Sequence, residues 1–149
     1  LGEIGVHAVI RNPFERLTKG EMFRLAAELV GEQAAADFLT ASHSCAHTGH
    51  RSFRLPVTQH CGVCFGCLVR RSAFAASGLV DGTSYLNSLN RDDLRNYLAD
   101  KSMVRAVQEF VERGVDDRDV SSMTLPDSYR GRDALDLIQR TMRELALVV

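Results

Sequence analysis

Cys61-Gly62-Val63-Cys64-Phe65-Gly66-Cys67, with Cys45 separated from it by fifteen residues, constrains this chain more than any other feature. Four thiolates are the number that a tetrahedral structural zinc ion takes, and two residues between ligands let successive sulfurs turn back onto one ion. Gly62 and Gly66 permit the tight backbone that this turn requires. The stretch from Ser42 to Cys67 holds all four cysteines, four of the five histidines and little aliphatic periodicity, so something other than an apolar core must hold it together. Disulfides and unpaired buried thiols are the competing readings. Three cysteines within seven residues are poorly placed for two independent bridges, and a reducing compartment disfavours them further. His43, His47, His50 or His60 can replace one sulfur if Cys45 lies too far away, but four sulfurs are preferred. A site with every position filled by protein is closed, hence structural, which argues against zinc hydrolysis.

The rest of the chain supplies an ordinary core. Its 149 residues, 45% apolar and 25% charged, suit one soluble domain, neither disordered nor fibrous. A net charge of −1 excludes wrapping nucleic acid by bulk charge, though a local patch stays open. No apolar run is long enough to span a bilayer, and the first residues lack a secretory layout, so the chain reads as cytoplasmic. It begins at Leu1 rather than Met, which suggests that something upstream has been removed.

Val6, Ala8 and Ile10 alternate with Gly5, His7 and Val9, predicting a short strand closed by Asn12-Pro13. Thr18-Lys19-Gly20-Glu21 has the form of a capping box, so a helix follows from Lys19, with Met22, Leu25, Ala26 and Leu29 on one face until Gly31. A second short helix is expected over residues 33–39, and a third over 65–76 with Gly78 as its stop. Asp92 or Asn90 can cap a helix through Leu94 and Leu98. Met103, Val104, Val107, Phe110 and Val111 continue a helical stripe to Gly114. A polar link containing Pro126 precedes a last helix over 133–148, with Leu135, Ile138, Met142 and Leu145 on one face.

Charge is the second signal. From Ser42 to Arg71 there are four arginines, 51, 54, 70 and 71, and no aspartate or glutamate. Arg70 and Arg71 begin the helix after Cys67, where a guanidinium can meet a phosphate or carboxylate beside the metal. Equally, they can offset the −2 charge of a four-thiolate zinc centre, or pair with residues 81–149, which hold 13 acids against 10 bases. The capping role accounts for Thr18, Lys19 and Glu21, with a ligand contact by Lys19 as the alternative.

Ser44-Cys45, then Cys61-Gly62-x-Cys64-x-x-Cys67, then Arg70 and Ala73-Phe74, preceded by Asn12-Pro13-Phe14 and Leu17-Thr18-Lys19-x-Glu21, resemble the C-terminal part of 7-cyano-7-deazaguanine synthases and their relatives among the pyrophosphatase-loop ATP-dependent enzymes. The resemblance covers roughly residues 9 to 80. It implies that Cys45, Cys61, Cys64 and Cys67 bind structural Zn2+, the set that the spacing also selects. It further implies a Rossmann-like α/β nucleotide domain with a Ser-Gly-Gly-x-Asp-Ser loop for ATP phosphates. The complete enzyme would adenylate a carboxylate and expel AMP by attack of ammonia, turning 7-carboxy-7-deazaguanine into the nitrile, with backbone amides and Mg2+ neutralising pyrophosphate. No such loop occurs in these 149 residues, so ATP and Mg2+ are implied for a full-length protein only. The spacing of fifteen is longer than the family pattern, and the helices after residue 90 have no counterpart in it.

The fold expected is therefore mainly α, with a short N-terminal strand and a zinc-binding cysteine knuckle, as the C-terminal portion of a Rossmann-like ATP-pyrophosphatase fold. Residues 1–41 would end the nucleotide domain, 42–80 form the knuckle and its helix, and 81–149 a helical segment for dimerisation, docking or completion of the domain. The leading function is the zinc-bearing portion of an ATP-dependent, amide- or nitrile-forming ligase in 7-deazapurine (queuosine) biosynthesis. Arg70, Arg71 and Lys19 are its candidate substrate or anion contacts, its partner a 7-deazapurine-like small molecule, and a homodimer is allowed. The alternative is a stand-alone zinc module binding nucleic acid or protein through Arg51, Arg54, Arg70 and Arg71, although only Phe53 and Phe65 could stack there. A regulatory subunit that keeps the fold without the loop is a third option.

Overall fold

The computed structural model describes residues 5, 11–46, 59–86, 103–126 and 129–149. Six helices make up the regular structure of these residues: α1 (Lys19–Val30), α2 (Glu32–Ala41), α3 (Phe65–Ser77), α4 (Met103–Arg113), α5 (Asp117–Ser121) and α6 (Gly131–Leu145). The architecture is mainly helical. The only β pairing among the described residues is an isolated parallel bridge between His60 and Tyr85. The strand expected over 6–10 and the helix through Leu94 and Leu98 lie outside the described residues, and no strand among those described speaks for a Rossmann-like sheet.

The local signals explain where the helices begin and end. Thr18 and Glu21 exchange both bonds of the capping box, with Thr18 N donating to Glu21 Oε2 at 2.8 Å and Glu21 N to Thr18 Oγ1 at 3.1 Å. Gly31, at φ +89°, breaks the chain between α1 and α2, a backbone that a side chain would strain. Gly78 closes α3 in the left-handed conformation, its N–H donating to Phe74 O at 3.1 Å. One element goes beyond the expected polar link: residues 117–121 form the single-turn α5, capped by an Asp116–Asp119 box. The last helix runs two to three residues earlier than the expected 133–148, ending in a turn after Leu145.

Helix α3 is the hub. Cys67 belongs to a buried cluster with Cys45, Cys61, Cys64 and Leu86. Ala73 and Phe74 pack with Phe23, Ala35 and Leu79 against α1 and α2, the Phe23 and Phe74 rings meeting edge to face at 4.9 Å. Leu68, fully buried, packs with Val107 of α4 and Leu145 of α6. Three faces of one helix thus serve the cysteine cluster, the N-terminal helices and the C-terminal helices.

A polar seam joins the two ends of the described chain. The buried Glu144 of α6 accepts from Gly20 N at 3.0 Å and from the Thr18 hydroxyl, so its carboxylate sits at the N-terminus of α1, where free amides and the helix dipole favour a negative group. Arg140 pairs with Glu21 and donates to Arg16 O at 2.9 Å, and Arg16 pairs with Asp133 at 3.0 Å.

Candidate metal centre

Cys61, Cys64 and Cys67 come from one turn of backbone. Gly62, at φ +82°, reverses the chain after Cys61, and Cys64 is the residue that starts α3. Cys64 N donates to Cys61 Sγ at 3.3 Å, which fixes the turn around the first sulfur. Cys45 arrives from the segment after α2, and Cys61 N donates to its Sγ at 3.3 Å. All four sulfurs lie within 4.8 Å of one another, and all four residues are buried.

These distances fit a tetrahedral zinc site. Zn–S bonds of about 2.3 Å place the sulfurs about 3.8 Å apart, and Cys61 Sγ and Cys67 Sγ are 3.9 Å apart. A disulfide needs about 2.05 Å, so the cluster is not a pair of bridges. Among the described residues no histidine belongs to the group; His47 and His50 lie outside them. The four cysteines can therefore bind a metal as the spacing expected, with Cys45 near enough that no substitute is needed.

The electrostatics of the cluster point the same way. Hydrogen bonding to Cys64 and burial push the Cys61 thiol up to about 11, and Cys61 and Cys64 raise Cys67 well above the thiol range. Both thiols donate toward Cys64, which is held far below that range as the thiolate. Two buried sulfurs, those of Cys61 and Cys67, thus hold protons that a divalent cation would displace. His60 lies beside them, buried at 3% exposure, its ring 4.5 Å from that of His43. Burial first, then the Arg70 charge, lowers its pKa, so it is neutral near pH 7, and its Nδ1 has no hydrogen-bond partner. Tyr85 is raised by burial and by donating to Asp81 Oδ2 at 2.7 Å.

The structure disperses the three candidate anion contacts. Arg70 is 2% exposed and spends its donors on Thr83, Ser42, Ser44, Leu39 and Thr40. Arg71 donates to Gly62 O at 3.3 Å, bracing the turn. Lys19 is exposed at the start of α1, its Nζ 5.8 Å from the centre of the Phe23 ring. Arg51 and Arg54 lie outside the described residues. Gly66 has a different reason from the one its position in the turn suggests. It is helical, and a Cβ there would stand 2.2 Å from Ser44 O, so it admits the strand of chain that delivers Cys45. Sequence reasoning did not find Ser42, Ser44, Thr83 or Glu144, because their partners are 13 to 126 residues away.

With this geometry in hand, the comparisons with known proteins are specific. The family model of the queuosine biosynthesis protein QueC matches residues 1–78, which include all four cysteines, Arg70 and helices α1 to α3. The chain belongs to the QueC family. Among curated proteins, the 7-cyano-7-deazaguanine synthase of Novosphingobium aromaticivorans is 40% identical over 84 residues, 56% of this chain and 29% of that protein. Those of Methanocaldococcus jannaschii and Methanococcus aeolicus are 35% and 31% identical over 77 residues, 52% of this chain and 31% and 30% of theirs. The chain thus spans about a third of the length of the curated relatives it matches. No solved structure gives a significant match. Among the described residues no helix is long and apolar enough to cross a membrane. Helices α4 to α6 lie beyond the matched residues.

Proposed function

We propose that this chain is the zinc-bearing portion of a 7-cyano-7-deazaguanine synthase-like, ATP-dependent ligase acting in 7-deazapurine biosynthesis in the cytoplasm. The observation that carries the reading is the closed set of four buried sulfurs inside the segment matched by the family. Zinc held there by Cys45, Cys61, Cys64 and Cys67 would cross-link the end of α2, the turn at Gly62 and the start of α3, a structural and not a catalytic office.

The reaction implied for the complete enzyme is activation of the carboxylate of 7-carboxy-7-deazaguanine as a mixed anhydride with AMP, followed by attack of ammonia and formation of the nitrile. A carboxylate is a poor electrophile, whereas the anhydride has a good leaving group. No Ser-Gly-Gly-x-Asp-Ser loop occurs in the 149 residues, so no step of ATP or Mg2+ chemistry is assigned to residues of this chain. Contacts by Lys19, Arg70 or Arg71 to the substrate rest on the charge pattern of the sequence, and the donors of Arg70 are taken up within the chain.

The alternative, a zinc module for nucleic acid or protein, is not favoured. Of its four basic residues, the two among the described residues are engaged within the chain: Arg70 is enclosed, and Arg71 braces the turn. The test is turnover by the encoded polypeptide that carries these residues, supplied with the carboxylated 7-deazaguanine, ammonia, ATP and Mg2+. AMP release that depends on the carboxylate, with appearance of the nitrile, is the expected result. Folded, zinc-loaded protein that releases no AMP overturns the synthase reading, and folded protein without zinc overturns the metal.

A further inference from the structure

A fully charged guanidinium lies inside this protein on neutral oxygens. Arg70 Nε donates to Thr83 Oγ1 at 3.0 Å, Nη1 to Ser42 Oγ at 2.9 Å and more weakly to Ser44 Oγ at 3.5 Å, and Nη2 to the carbonyls of Leu39 and Thr40, the latter at 3.0 Å. Every nitrogen of the fork has a partner. The two carbonyls belong to the last turn of α2, where backbone oxygens lack partners within the helix and carry the negative end of its dipole, so the charge is stabilised without a carboxylate.

All but one of these acceptors lie in one short segment, residues 39–44, immediately before Cys45. Three sulfurs of the cluster are brought together by one local turn, but Cys45 must be recruited across an intervening chain of fifteen residues. A second feature of the same helix acts on the same segment. One turn before Arg70, Gly66 leaves room for the carbonyl of Ser44, which any side chain would displace. Gly66 and Arg70, at i and i+4, form one face of α3 shaped to the backbone before Cys45.

We propose that Arg70 is a positioning residue for the metal centre: it clamps residues 39–44 onto α3 and so delivers the fourth sulfur, Cys45. The inference rests on the reading of the four cysteines as a zinc site. It replaces an anion-binding role for Arg70 with one in which its donors are consumed by the chain itself. Lysine would keep the charge but has no planar fork to reach serine hydroxyls, carbonyls and Thr83 together.

The experiment is cobalt(II) substitution of the whole chain, followed by its visible and near-ultraviolet spectrum and by competition with zinc. Wild type is expected to give a four-sulfur spectrum. Cys45→Ser supplies the three-sulfur reference, with thiolate-to-cobalt intensity reduced by about a quarter because one of four sulfurs is lost. Arg70→Lys is expected to resemble Cys45→Ser and to bind metal about ten- to a hundredfold more weakly, the range for loss of a residue that orients a ligand. The double variant Ser42→Ala, Ser44→Ala leaves the arginine whole and is expected to shift the same way by a smaller factor. A wild-type chain that takes up no cobalt removes the metal reading itself. A four-sulfur spectrum and wild-type affinity in Arg70→Lys overturn the clamp alone. If Arg70→Lys does not fold, the double variant decides, and wild-type spectrum and affinity there reduce Arg70 to a core residue and overturn the proposal.

Discussion

Gly20 is the residue whose replacement tests the polar seam most directly. In the middle of an exposed helix, alanine would be favoured over glycine by roughly 0.5–1 kcal/mol. Here a Cβ would meet Glu144 Oε1 at 2.6 Å and Ala76 Cβ at 2.8 Å, because α1, α3 and α6 converge on this position. The expected result for Gly20→Ala is therefore destabilisation by about 1–3 kcal/mol, the range for overpacking, read from the midpoint of urea unfolding. An unchanged or raised midpoint would show that Glu144 does not occupy the start of α1. The cysteines illustrate the opposite case, a site legible from the chain alone. Cys61, Cys64 and Cys67 are fixed by local spacing, and the four-sulfur set was readable before any geometry. Arg70 looks like an anion contact in the sequence for the same reason in reverse: its acceptors come from segments 13 to 31 residues away, and spacing says nothing about them.

At the scale of elements, the helix starts and stops were legible because their causes are local. Thr18 caps α1, and Gly31 and Gly78 end helices at positive φ, all within four residues of the groups they serve. The pairing of α1 with α6 was not, since Arg140 and Glu21 are 119 residues apart. That pair also makes a pH prediction. Burial alone would raise the Glu21 carboxyl, but the hydrogen bond from Arg140, the Thr18 amide and the Arg140 charge outweigh it and hold it below 4.5. A carboxyl depressed in the folded state stabilises the protein above its unfolded pKa, and the contribution is lost as pH falls through the folded value. Wild type should therefore lose stability relative to Glu21→Gln as pH is lowered from about 6 to about 3, with the gap constant above that window. Both side chains are about a quarter exposed, so the gap is small, under about 1 kcal/mol. Parallel stability curves for the two proteins across the window would exclude the pair as a contributor.

For the molecule as a whole, composition divides the chain at about residues 41 and 80, whereas the contacts of α3 cross both boundaries. Its sulfur-bearing start belongs to the metal cluster, Phe74 to the N-terminal helices, and Leu68 to the pair α4 and α6. Phe65, next to Cys64, also lines an apolar groove of about 510 Å³ with Met103, Phe110 and Ile138, so the C-terminal helices rest on the helix that the metal would anchor. This makes the reach of the metal measurable. If zinc binds only the folded state, its removal withdraws binding free energy from folding, and the loss spreads to whatever unfolds together with α3. Hydrogen exchange of the zinc-loaded chain, before and after a strong chelator, is expected to show lost amide protection in α3 and also in α4 and α6, more than twenty-five residues from the nearest cysteine in sequence. Cys64→Ser should reproduce the chelated pattern without chelator. Protection lost only around residues 59–77, with α6 unchanged, would mean that the C-terminal helices hold together on the Glu144 and Arg140 contacts alone, and that the knuckle is a separately folding unit.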